Sequence, residues 1–75
     1  MELNEFVQNF GQEFDETPID IFTPETVFKD IEEWGSLTAL SIIAMVDETM
    51  EARITGADIR SSDTIQDLYI KIISK

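Results

Sequence analysis

The one long apolar run of this chain lies between Ser36 and Met50, and it decides what the rest can build. Ala39, Ile42, Ile43, Val46 and Met50 fall at helical spacing on one face, and Leu37, Leu40 and Ala44 widen the apolar surface beside them. A helix apolar over so broad an arc is either central to a bundle or keeps surface for a partner or ligand. We expect the surplus to serve the core. Asp47, Glu48 and Glu51 gather at its far end, where negative charge opposes the helix macrodipole at a cost of some tenths of a kcal/mol.

The start of that run, Trp34-Gly35-Ser36-Leu37, puts a hydroxyl in the expected first turn of the helix. A helix N-terminus offers unpaired backbone N–H groups and the positive end of the dipole, which favour an attached or bound phosphate. Nothing in the chain makes Ser36 a nucleophile. There is no His and no Cys, hence no imidazole base, no thiolate and no zinc-type ligand set. Ser36 therefore reads as a residue that another enzyme modifies; the bland alternative is an N-cap serine worth about 1 kcal/mol to the helix. Glu32/Glu33 and Asp47/Glu48 are adjacent acids on surface stretches with no pocket signature, and no calcium-loop pattern occurs, so neither catalytic residues nor a metal site are expected.

Ahead of the run, Leu3, Phe6, Val7, Phe10 and Phe14 recur with amphipathic spacing, which predicts a helix of about three turns. Gly11 within it costs about 1 kcal/mol against Ala. Residues 15 to 35 form a long connection punctuated by Pro18 and Pro24, with Thr23-Pro24 suited to cap one helical turn over Glu25 to Val27. Ile19, Ile21, Phe22, Val27, Phe28, Ile31 and Trp34 tack this connection onto the helices, and packing is the role expected of Trp34. After the run, Ile54 to Arg60 reads as a turn and one short helical turn. Ser61 to Thr64 supplies caps, with Gln66 or Asp67 closing a capping box before a last helix carrying Ile65, Leu68, Tyr69 and Ile72. The fold class is all-α: a small four-helix bundle of three main helices, one short helix and a long first loop, forming one domain over 1–75.

Sixteen acids against five bases give a net charge of −11. Residues 1–35 hold −9 of it, residues 36–51 hold −3, and residues 52–75 are +1. Such a chain repels nucleic acid phosphates and anionic membrane surfaces, so neither is an expected partner. The acids serve solubility, or a docking face for basic partners. The absence of cysteine, of any apolar segment near the roughly 18 residues of a membrane span, and of a basic start to the N-terminus fits a cytoplasmic monomer.

The segment Phe28-Lys29-Asp30-Ile31-Glu32-Glu33-Trp34-Gly35-Ser36-Leu37-Thr38-Ala39-Leu40, its apolar helix ending in Asp47-Glu48, Ile54, and Thr64-Ile65-Gln66-Asp67-Leu68-Tyr69 together resemble the acyl carrier protein family. The resemblance covers residues 28 to 73 closely, while the first helix agrees in length and pattern. It implies a four-helix bundle of the acyl-carrier type, whose serine receives 4′-phosphopantetheine from coenzyme A and whose arm carries acyl or aminoacyl groups as thioesters between enzymes of fatty acid or related lipid and secondary-metabolite synthesis. By position Ser36 is the attachment point. Leu37 resembles the apolar neighbour that a phosphopantetheinyl transferase contacts. Asp47, Glu48 and Glu51 resemble the acids that meet basic patches on acyl- or aminoacyl-transferring and synthase enzymes, and Ile54 the apolar residue near the arm. Three positions depart from the family: Gly35 stands where Asp is usual, and Thr38 and Ser41 stand where acids are frequent. The competing function is an acidic interaction module for basic proteins, with Ser36 unmodified.

Overall fold

Phe6, Val7 and Phe10 share one face of the first helix, α1 (Leu3–Gln12), and that face is buried. The computed structural model describes all 75 residues. Three further helices follow: α2 (Ser36–Met50), the short α3 (Gly56–Arg60) and α4 (Ile65–Ile73). There is no strand; a single antiparallel bridge joins Val27 to Thr64. α1 packs against α2 and α4, and α3 packs against α4. The all-α class and the three-long, one-short arrangement of helices are as the sequence predicts. No helix is long and apolar enough to cross a membrane.

The core is unusually aromatic for so small a chain. Phe10 lies 5.7 Å from Phe14, 6.3 Å from Phe22, 5.4 Å from Phe28 and 6.4 Å from Trp34, ring centre to ring centre. Phe14, Phe22, Phe28 and Trp34 all belong to the connection between α1 and α2, so one α1 side chain gathers the loop along its length. Such pairs add about 0.5–1.5 kcal/mol each beyond the area they bury.

Polar contacts finish the job. The Glu33 carboxylate accepts from the backbone N–H of Asp15 (2.6 Å) and Glu16 (3.0 Å) and from the Thr17 hydroxyl (2.7 Å), clipping the two ends of the loop together. The N–H groups of Ile65 and Gln66, which have no partner inside α4, donate to the carbonyls of Thr26 and Pro24.

Details of the loop differ from expectation. The helical turn anticipated over Glu25 to Val27 is absent; 3-10 turns form instead at Ile19–Ile21 and Phe28–Asp30. Thr26 is the reason. Its hydroxyl accepts from Thr23 N–H at 2.8 Å and donates to the Ile21 carbonyl at 3.0 Å, which closes residues 23 to 26 as a turn. The capping box of α4 pairs Thr64 with Asp67 rather than Gln66, and Thr55 with Asp58 caps α3 in the same way. Ser61 and Ser62 cap nothing ahead of α4; both hydroxyls donate back to the Asp58 carbonyl.

Gly11 is buried because the loop crosses it: a Cβ there would lie 2.6 Å from Ile19 Cδ1 and 2.9 Å from the Phe22 ring. Gly11→Ala should therefore lower stability by about 1 kcal/mol, since overpacking costs about 1–3 kcal/mol and outweighs the gain in helix propensity of about 1 kcal/mol. Chemical denaturation of the two chains decides this, and an equal or more stable variant would mean that the Phe22 ring yields freely. The Thr17 hydroxyl, and then the backbone N–H groups of Glu16 and Asp15, hold the Glu33 carboxyl below its usual range. A lowered folded pKa gives stabilisation that is complete above the unfolded value and lost as pH falls through the folded one. Glu33→Gln should accordingly flatten the loss of stability below about pH 4, with parallel pH profiles as the contrary result.

Candidate functional site

Gly35, not Ser36, is the N-cap of α2, so Ser36 is the first helical residue. This removes the capping alternative for Ser36, because a capping oxygen sits one position earlier to reach the N–H two or three residues on. The neighbouring hydroxyls are occupied: Thr38 donates to the Glu33 carbonyl at 3.1 Å and Ser41 to the Leu37 carbonyl at 3.1 Å. The Ser36 side chain is exposed and has no partner of its own within the chain. No side chain caps α2, and its first turn holds no acid, so the opening N–H groups of the helix face outward beside the hydroxyl.

What fixes this hydroxyl in place is the loop. Trp34 lies 4.9 Å edge-on from Phe28 and near-parallel to Phe10. The Trp34 backbone N–H donates to the Ile31 carbonyl at 2.9 Å, and the Gly35 carbonyl accepts the first helical bond from the Ala39 N–H at 2.9 Å. Gly35 itself is fully extended (φ −171°, ψ −173°), and nothing lies within 4 Å of the place a Cβ would occupy.

Beside Ser36 opens a cleft of about 350 Å³ between the loop, α2 and α3. Trp34, Ala39 and Ile59 supply its apolar lining, Lys29 and Arg60 its only charges, and Gly35 and Gly56 its bare backbone. None of these residues was singled out in the sequence as part of a site, apart from Ser36 itself and the noted departure at Gly35. Lys29 and Arg60 are 31 residues apart, and only the path of the loop across α3 brings them together.

The anticipated contact residues divide. Leu37 is 80% exposed and Leu40 61% exposed, and Ala44 is exposed too, so the apolar surplus of α2 faces outward and not into the core. The reason lies in the helix phase: Ile42, Met45 and Val46 take the buried face, with Met45 filling a core position that the pattern did not single out. Leu37, Leu40, Ala44 and Asp47 recur at i, i+3, i+7 and i+10, forming one exposed stripe that begins next to Ser36. Asp47 lines a groove of about 250 Å³ with Leu40, Ile43, Ala44, Arg53 and Ile54. Glu48 lines a different groove, toward Asn9 and Glu13 of the α1 side. Ile54 is only 4% exposed and is first a core residue, reaching the groove from within.

Glu51 follows α2 in the left-handed conformation (φ 50°, ψ 38°) and is the chain's one non-glycine residue with positive φ. Models of known families, curated proteins and solved structures were compared with this chain, and none matched.

Two stability expectations follow from the backbone at either end of α2. Glu51→Gly should stabilise the domain by about 1 kcal/mol, because a β-carbon is disfavoured in that conformation. Gly35→Asp should leave stability unchanged or raise it slightly, since the position is extended, open and a helix N-cap. Thermal unfolding of both variants checks these; destabilisation by Glu51→Gly would mean that the Glu51 side chain holds the turn, and destabilisation by Gly35→Asp that the added carboxylate is not accommodated.

Proposed function

We propose that this chain is an acyl carrier protein, with 4′-phosphopantetheine attached through the Ser36 hydroxyl. The observation that carries the reading is Ser36 itself: exposed, unpartnered, at the first position of α2, beside an open cleft, in a chain with no base to activate it. Ser36 Oγ would attack the phosphorus nearest pantetheine, forming a phosphodiester as the diphosphate bond of coenzyme A breaks and adenosine 3′,5′-bisphosphate leaves, the Ser36 proton passing to a group on the transferase. Once attached, the arm supplies a thiol that holds an acyl or aminoacyl group as a thioester. The four-helix arrangement agrees with the acyl-carrier type, and the resemblance of residues 28 to 73 to that family supports the same role.

In this reading the exposed stripe of Leu37, Leu40, Ala44 and Asp47 is where partner enzymes meet the carrier. Leu37 contacts the phosphopantetheinyl transferase, and Asp47, Glu48 and Glu51 draw in basic patches. Exposed charges of this kind act chiefly on the rate of encounter.

Incubation with coenzyme A and a broad-specificity phosphopantetheinyl transferase should add one phosphopantetheine per chain, read by intact mass. Ser36→Ala should abolish the addition and leave the fold unchanged by circular dichroism. A chain that stays unmodified with several transferases, while a control carrier is converted, would refute the proposal. Reversing Asp47, Glu48 and Glu51 to Lys should slow engagement of a partner enzyme at low salt, with the difference shrinking as salt rises. Equal rates at low salt would assign these acids to solubility.

A further inference from the structure

Acids outnumber bases by sixteen to five in this chain, yet the cleft beside Ser36 is lined by two cations and no carboxylate. Lys29 Nζ donates to the Arg60 carbonyl at 2.7 Å and stands 5.7 Å from the centre of the Phe28 ring. An ammonium has three donors, so these contacts position Lys29 without using it up. The Arg60 guanidinium folds back over Gly56: a Cβ on that glycine would lie 3.1 Å from Nη1 and 3.9 Å from Cζ. The one acid of α3, Asp58, is engaged elsewhere. Asp58 accepts from Thr55 N–H at 2.9 Å and pairs with Lys75 at 2.8 Å, the chain's one salt bridge. Gly35, in the same lining, brings no side chain where the resembled family usually carries Asp.

On the carrier reading, on which this inference rests, the group attached to Ser36 begins with a phosphodiester. We infer that Lys29 and Arg60 form a cationic lip that pairs with this phosphodiester and lays the arm into the cleft against Ala39, Ile59 and Trp34. A guanidinium matches phosphate oxygens with paired N–H groups, and an ammonium adds a mobile point charge. The missing carboxylate at position 35 then acquires a reason: Asp there would compete with the phosphate for both cations. The same exchange would make the loaded carrier present its thiol from a resting place in the cleft and not from a freely moving arm.

The test compares backbone amide spectra of the unloaded chain and of chain driven to complete loading with phosphopantetheine. Loading should shift the Ile59, Ala39 and Gly56 amides at about 10 mM salt, and those shifts should fall by at least half at about 1 M, where the Debye length contracts from about 30 Å to about 3 Å. Lys29→Gln with Arg60→Gln should lose at least half of the Ile59 shift, whereas the charge-preserving exchange Lys29→Arg with Arg60→Lys should keep most of it. Should the double Gln variant fail to fold, Arg60→Gln alone carries the same expectation, since it keeps the Arg60 backbone carbonyl to which Lys29 donates. Loaded chain whose Ile59 shift is indifferent to these substitutions and to salt would overturn the lip and leave the carrier reading standing. A chain that no transferase loads would overturn both.

Discussion

The structure turns on Phe10. Its ring is the point at which a helix and the following loop become one body, because Phe14, Phe22, Phe28 and Trp34 all close on it. A connection of more than twenty residues would be an entropic burden in so short a chain if it hung free. Packed on one aromatic side chain, it becomes part of the core, and its far end delivers Trp34, Gly35 and Ser36 to a fixed place. Glu33 and Thr38 then lock that end, through the clip on residues 15 to 17 and the hydroxyl bond to the Glu33 carbonyl. The hydroxyl of Ser36 is thus presented by the loop as much as by the helix that it begins.

α2 shows where the chain forgoes stability. Its exposed stripe leaves Leu37 and Leu40 in water, its C-terminal half carries acids at the negative end of the dipole, and Glu51 takes a conformation that glycine would adopt more readily. Each departure is small. α4 also leaves apolar side chains in water, Ile70 and Ile73, but it has a complete capping box, and its buried face, like that of α1, is apolar.

Much of this was legible in the sequence. Period and caps located all four helices, because apolar spacing and the Thr64/Asp67 pair are local signals. The position of Ser36 at the start of α2 was legible for the same reason. The orientation of Leu37, Leu40 and Ala44 was not, since an apolar arc wider than the buried face leaves the helix phase undetermined until its neighbours are placed. Nor did any local signal announce the turn closed by Thr26, which depends on a side chain reaching two backbone groups. The cationic cleft was least accessible of all. Lys29 and Arg60 meet only because the loop, gathered on Phe10, passes across α3; along the chain Lys29 lies in the acidic stretch 1–35 and Arg60 in the slightly basic stretch 52–75.

The claim on which the rest depends is that Ser36 carries a phosphopantetheine arm in the living cell. The most direct measurement is peptide-resolved mass spectrometry of the chain isolated from the cells that make it, with the modified residue located by fragmentation. The account predicts phosphopantetheine on the peptide containing Ser36 and on no other serine. A chain recovered with Ser36 unmodified throughout, or with the group on Ser41, Ser61, Ser62 or Ser74 instead, would contradict it.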